Sequence, residues 1–208
     1  MRVSFKPGVV VLVPENEDEG ESLALLGLEA DGHVFHLIAN GEDGAALHDL
    51  GPREDACREP INISHAIEER FRPISNLALT PFLFDGRIYQ SVEGFWQGLK
   101  FDRESDRNRI ANLFGGEAKE AGDDAEPRTH VTYQGEEIRV GSPEHWALMR
   151  RACEAKFTTN FEAQEALLAT GQRWLRHRMR RDSKSIPGAI LAEMWMDIRR
   201  GLMEEKSS

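Results

Sequence analysis

Four side chains between residues 93 and 100 have the types and the spacing for chemistry. Glu93, Trp96, Gln97 and Lys100 stand three or four positions apart, so on a helix they share one face. A carboxylate, an indole, an amide and an ammonium make an odd set for a plain core helix. A carboxylate with a second charged group nearby is suited to proton transfer. Glu93 would also fall in the helix's first turn, where the macrodipole favours its charged form. The plainer alternative is a surface Glu and a Lys snorkelling past aromatic core residues.

Other chemistries have weaker footholds. Cys57 and Cys153 form neither a disulfide framework nor a CxxC pair. His33 and His36 form an HxxH, but no acidic or cysteine partner follows at a metal-binding distance. Neither a metal nor a cofactor is expected. The formal net charge of −10 argues against broad, non-specific binding to nucleic acid. One local exception is the run Arg173–Lys184, with six basic side chains against Asp182. It reads either as a solvated basic helix end or as a phosphate-facing edge.

The elements that must position these residues can be read in order. Val9–Val13 is a β-branched run, and an acidic turn over Glu15–Glu21 follows it. Leu23–Leu28 fits a strand or a short helix, and Val34–Ile38 and Ala46–Leu50 read as strands. Turns are expected at Ala30-Asp31-Gly32, Asn40-Gly41 and Asp43-Gly44. Gly51-Pro52 through Pro60 is a polar connector, and Ile61–Ile63 can form a strand. Pro81–Tyr89 is two short apolar strands about Asp85-Gly86, a dipeptide that favours a tight hairpin turn. Ser91 is the expected N-cap of the helix bearing Glu93.

Arg103–Phe114 has helical periodicity, Gly115-Gly116 breaks it, and Glu117–Ala121 is a short helix. His130–Tyr133 and Glu137–Val140 frame a hairpin at Gln134-Gly135. Ser142-Pro143-Glu144 is a strong helix start, and that helix presents Trp146, Met149, Cys153 and Lys156/Phe157. Asn160 caps a helix over Phe161–Ala169, and helix is expected again over Arg173–Met179. The last helix, Ala189–Met203, turns Ile190, Met194, Ile198 and Leu202 inward. The fold class is α+β. Residues 1–60 form a β-rich N-terminal extension, and residues 61–208 a mainly helical domain with small β-hairpins.

Composition bounds the class. Hydrophobic residues at 40% and charged residues at 30% describe an ordinary soluble globular protein. No apolar run approaches the roughly 20 residues that span a bilayer. The N-terminus lacks a signal-peptide shape, so the cytoplasm is the expected location and no membrane partner is expected.

The motifs taken in order resemble the NADAR (NAD and ADP-ribose related), or YbiA-like, family. The opening signature is Ser75-Asn76, Asp85-Gly86, Ser91-Val92-Glu93 and Gln97-Gly98-Leu99-Lys100-Phe101. Trp146 then precedes a helix ending in Ala155-Lys156-Phe157. Leu167-Leu168-Ala169-Thr170-Gly171 matches the LLxTG ending, and Ala192–Arg199 is similar to the closing LMxIR segment. The resemblance covers about residues 66 to 203. There are departures. Gly94 stands where the family has His, Gly122-Asp123 replaces Gly-Arg, and Asp-x-x-Trp-Gly survives only as Asp182–Gly188. The hairpin His130–Val140 looks like an insertion.

The resemblance implies a YbiA-like domain that hydrolyses a ribosyl–amine N-glycosidic bond. The implied substrates are small phosphoribosyl or ADP-ribosyl compounds: riboflavin-synthesis intermediates, or ADP-ribose joined to guanine in nucleic acid. Cleavage requires a protonated leaving amine and a stabilised oxocarbenium-like carbon. Glu93 is then the general acid/base, and Lys100 or Lys156 a Schiff-base candidate with the ring-opened sugar. Ser75, Asn76, Trp96, Trp146, Arg181 and Asp182 are the implied substrate-binding residues. The alternative is an ADP-ribose or nucleotide-binding sensor module with weakened catalysis.

Overall fold

The computed structural model describes residues 2–6, 9–29, 33–39, 45–52, 59–64, 67–178, 183 and 185–207. The chain divides into two units, Met1–Glu59 and Pro60–Ser208. In the first, β1 (Arg2–Lys6) pairs antiparallel with β2 (Val9–Val13), and β3 (His33–Ala39) with β4 (Ala45–Pro52). Between the pairs lies α1, Glu17–Glu29. The acidic stretch expected as a turn is instead the first turn of this helix. Asn16 Oδ1 accepts from the Glu19 N–H at 2.9 Å, and Glu17, Asp18 and Glu19 complement the positive helix end. The extension is thus β-rich, four described strands with one helix between the pairs. Strand β4 also runs through Gly51 and Pro52, expected as connector. The turns expected at Ala30–Gly32, Asn40-Gly41 and Asp43-Gly44 lie outside the described residues, as does Cys57.

The second unit is α+β and mainly helical. Its elements are β5 (Ile61–Asn62), a 3₁₀ turn (Glu69–Ile74), β6 (Phe82–Phe84), β7 (Arg87–Tyr89), α2 (Val92–Gly98), α3 (Glu104–Ala111) and α4 (Gly115–Ala121). There follow β8 (His130–Tyr133), β9 (Glu136–Arg139), α5 (Pro143–Thr159), α6 (Phe161–Leu168), β10 (Leu175–Arg176) and α7 (Gly188–Ser207). Both hairpins form where their turn dipeptides predict. Asp85 and Gly86 take φ of 46° and 82°, and Gln134 and Gly135 take 49° and 85°. These positive values give the turn whose twist matches the strands.

Two helix expectations change. The Gly115-Gly116 pair opens α4 instead of merely ending α3. Arg173–Met179 contains no described helix: Leu175–Arg176 is a strand parallel to Ile61–Asn62. Ile61 and Ile63 N–H groups donate to the Trp174 and Arg176 carbonyls at 2.9 and 2.8 Å. Long-range pairing outweighs local propensity here.

The core lies around α5, whose Leu148, Met149, Ala152, Cys153 and Phe157 are buried against α2, α6 and α7. Trp195 of α7 and Phe157 are wholly enclosed. Phe95 of α2 meets Phe84, Tyr89 and Tyr133 edge-on at 5.1, 5.3 and 5.8 Å, which ties both hairpins to α2. Asp85 adds a polar tie: its carboxylate accepts from Tyr133 Oη at 2.7 Å and pairs with Arg151 at 2.8 Å. No described helix is long and apolar enough to cross a membrane.

Candidate active site

Helix α2 is fixed at its start. Ser91 Oγ accepts from the Gly94 N–H at 2.9 Å and donates to the Leu113 carbonyl at 2.9 Å. A Cβ at position 94 would lie 2.8 Å from the Ile110 carbonyl and 2.9 Å from the Leu113 carbonyl. Glycine is thus required where the resembled family carries His, because α2 rests on the backbone at the end of α3. Glu93 is half-buried. Its N–H donates to the Asn76 carbonyl at 2.8 Å, and its Oε1 accepts from Gln97 Nε2 at 2.7 Å.

The turn holding Asn76 is itself clamped by α5. Lys156, with no exposed surface, donates from Nζ to the Ser75 and Ile74 carbonyls at 2.8 and 3.2 Å. Burial pulls its ammonium down to about 7, the neighbouring Cys153 opposing weakly. Burial likewise pushes the Cys153 thiol up to about 12, against the Lys156 charge. The Asn76 amide faces sulfur: Nδ2 lies 3.5 Å from Met149 Sδ, and Oδ1 lies 3.8 Å from Cys153 Sγ. Ser75 Oγ accepts from the Leu77 N–H at 3.3 Å, and its side opens on a separate cavity walled by Leu79, Phe114 and Glu162.

On the other side of α2 lies a cavity of about 360 Å³ lined by Trp96, Lys100, Gly122, Arg128, His145 and Ser185, among others. Trp96 stacks on His145 with centroids 4.1 Å apart. His145 Nδ1 accepts from the Gly141 N–H at 3.2 Å, which leaves the ring proton on Nε2. Burial depresses this imidazole to about 4, with the Ser185 carbonyl pulling the other way, so it is neutral at pH 7. Lys100 Nζ donates to the Gly122 carbonyl at 3.0 Å. Arg128 is held in a two-point pair by Asp102, at 2.5 and 2.8 Å. Trp146, half-buried, donates Nε1–H to the Ser185 carbonyl at 2.9 Å.

The residues singled out from sequence therefore divide into two groups. Ser75, Asn76 and Lys156 make the turn beneath α2, while Trp96 and Lys100 line the cavity and Trp146 joins its edge through Ser185. Glu93 is bonded to the first group, through its backbone to Asn76, and its carboxylate to Gln97, whose side chain packs against Gly122 of the cavity. Two expectations are corrected by this placement. Lys156 has no surface from which to attack a sugar, and the Asn76 amide is turned into the domain rather than toward a ribose. Arg180, Arg181, Asp182 and Lys184 lie outside the described residues, so the expected phosphate edge rests on Arg173, Arg176 and Arg178. His145 and Gly122 were missed as site residues. The signal for His145 was its place one residue before Trp146 at the capped start of α5. Among the described residues no group of His, Cys, Asp and Glu is gathered to hold a metal ion.

Comparisons with known proteins agree on this domain. The family model of bacteriophage protein GP30.3 matches residues 71–195. The NMR structure of the Escherichia coli protein YbiA superposes with a TM-score of 0.54 at 23% identity, over 75% of this chain and 93% of that one. That likeness shows the fold. A search among curated proteins finds no significant match.

Proposed function

Since this chain belongs to the bacteriophage protein GP30.3 family and has the YbiA fold, we propose that it is an N-glycosidase of the NADAR type. Its bond is the one between a ribosyl C1′ and an exocyclic amine, in a phosphoribosylated or ADP-ribosylated base. The observation that carries the reading is the anchoring of Glu93. Its main chain is tied to the Asn76 turn and its carboxylate to Gln97, one helical turn from the cavity-lining Trp96, so a half-buried acid is held in a fixed orientation. Held geometry is what general acid–base catalysis requires.

The chemistry follows from that placement. Protonated Glu93 gives its proton to the leaving nitrogen as the C1′–N bond breaks. The carboxylate so formed takes a proton from a water whose oxygen bonds to C1′, and Glu93 is restored. Of the two tryptophans Trp96 is the one that lines the cavity, backed by His145, and is the aromatic wall for a planar base, while Lys100 offers an ammonium to a phosphate or sugar oxygen. Lys156 fixes the turn that holds Asn76 and Glu93. If a ring-opened imine is captured, Lys100 is the lysine placed to capture it.

The test is direct incubation of the protein with a phosphoribosylamino-pyrimidine and with an ADP-ribosylated guanine oligonucleotide. Release of free sugar phosphate or ADP-ribose supports the reading. A second reading, a binding or sensor module, is favoured by Gly94, whose packing leaves no space for the family's His. Its outcome is different: no release, with ADP-ribose raising the melting temperature. If neither ligand is cleaved or bound, both readings fail.

A further inference from the structure

The geometry points to Gln97 and Gly122 as a positioning pair for Glu93, an inference that rests on Glu93 being the working carboxylate. Gln97 is buried in the last turn of α2, and its amide is committed at one end only. Nε2 donates to Glu93 Oε1 at 2.7 Å, whereas Oε1 is buried and finds no partner among the described residues. A buried amide oxygen without a donor is costly, so its retention calls for a reason. The reason lies across the helix. Gly122, at the end of α4, takes φ −78° and ψ −14°, a conformation open to any residue. Its glycine is not needed for the backbone. It is needed for space: a Cβ there would collide with Gln97 Oε1 and Cδ and stand 3.0 Å from Cγ.

The end of α4 is therefore a flat slot for the Gln97 amide. The slot holds that amide with its N–H aimed at Glu93. The same Gly122 presents its carbonyl to Lys100 Nζ at 3.0 Å, so one peptide sets the amide behind the acid and the ammonium in the cavity. Only the end of the Gln97 side chain opposes a methyl at 122, and that end can swing aside. Gly122→Ala should accordingly fold, and should displace the amide from Glu93 rather than unseat the helix.

The experiment is a double-substitution cycle with two readouts. Gln97→Met keeps the side-chain length and removes the donor. It and Gly122→Ala are each expected to lower kcat by about tenfold with KM little changed. In a Gln97→Ala background the added methyl at 122 has space, so Gly122→Ala should cause no further fall. Multiplying effects, or losses confined to KM, would overturn the proposal. The second readout needs no turnover. The Gln97 side-chain amide protons, followed by NMR, should exchange slowly in the wild type and rapidly in Glu93→Ala and in Gly122→Ala. Slow exchange in the wild type without catalysis would leave the pair standing and count against the enzyme reading alone. Exchange unchanged by either substitution would remove the pair, whatever the activity.

Discussion

Lys100 and Lys156 carry the same ammonium and both end on backbone carbonyls, yet their surroundings are opposite. Lys156 is sealed inside the domain, donates to two carbonyls of one turn, and has its ammonium pulled down to about 7 by burial. Lys100 is half-buried at the wall of a cavity and donates to one carbonyl. Both belong to motifs that suggest site residues, and only the three-dimensional placement separates them. A buried lysine with perturbed basicity is often read as a nucleophile. Here the geometry gives that proton a structural partner and gives the reachable amine to Lys100.

The larger effect is expected at Lys156. Lys156→Met leaves the Ile74 and Ser75 carbonyls buried without donors, at a cost of about 2–4 kcal/mol in urea unfolding. A change below about 0.5 kcal/mol would mean that the turn does not depend on it. The pH dependence has a definite sign. A lysine at about 7 in the folded state and near 10.5 when unfolded binds fewer protons folded between those values. Stability should therefore rise as pH rises above 7, by on the order of 1 kcal/mol per pH unit. The rise is cleanest up to pH 9. Above that, Cys153, held protonated in the fold to about 12, works in the opposite sense. Melting temperatures of Lys156→Met across pH 7–9 should be flatter than those of the wild type.

A smaller effect of the same kind belongs to His145. Its imidazole is neutral in the fold down to about 4 against 6.5 when free. The stability it contributes is present above 6.5 and is lost as pH falls toward 4. His145→Gln should shallow that acid limb. The smallest stability effect is expected at Lys100. Lys100→Met should change unfolding by no more than about 0.5 kcal/mol. Borohydride added during turnover sharpens the contrast, since any trapped sugar should map to Lys100. An adduct on Lys156 would invert the assignment.

Local chemistry made much of the frame legible. Ser91, Ser142 and Asn160 cap the helices they precede, with side-chain oxygens 2.9, 3.3 and 3.0 Å from the N–H groups they satisfy. Asp85-Gly86 and Gln134-Gly135 turn their hairpins. The family motifs also proved to be partly scaffold. Thr170 of LLxTG accepts from the buried Arg199 at 2.7 Å, and Arg199 donates again to the Arg173 carbonyl. What stayed hidden depended on distant partners. The strand at Leu175–Arg176 exists because Ile61–Asn62 lies beside it. The Trp96–His145 stack and the Gln97 slot at Gly122 join residues 49 and 25 positions apart, and no spacing rule reaches that far. Lys156 kept its helical register, but periodicity cannot distinguish a lysine facing a substrate from one facing two carbonyls.

On the proposed function, Glu93 performs the chemistry while the turn and the slot around it hold it in place. The most direct measurement is the kcat of Glu93→Gln against the wild type on whichever ribosyl–amine substrate is cleaved. The expected loss is roughly 10²-fold or more, with ADP-ribose binding and melting temperature near those of the wild type. Turnover by Glu93→Gln at the wild-type rate would contradict it.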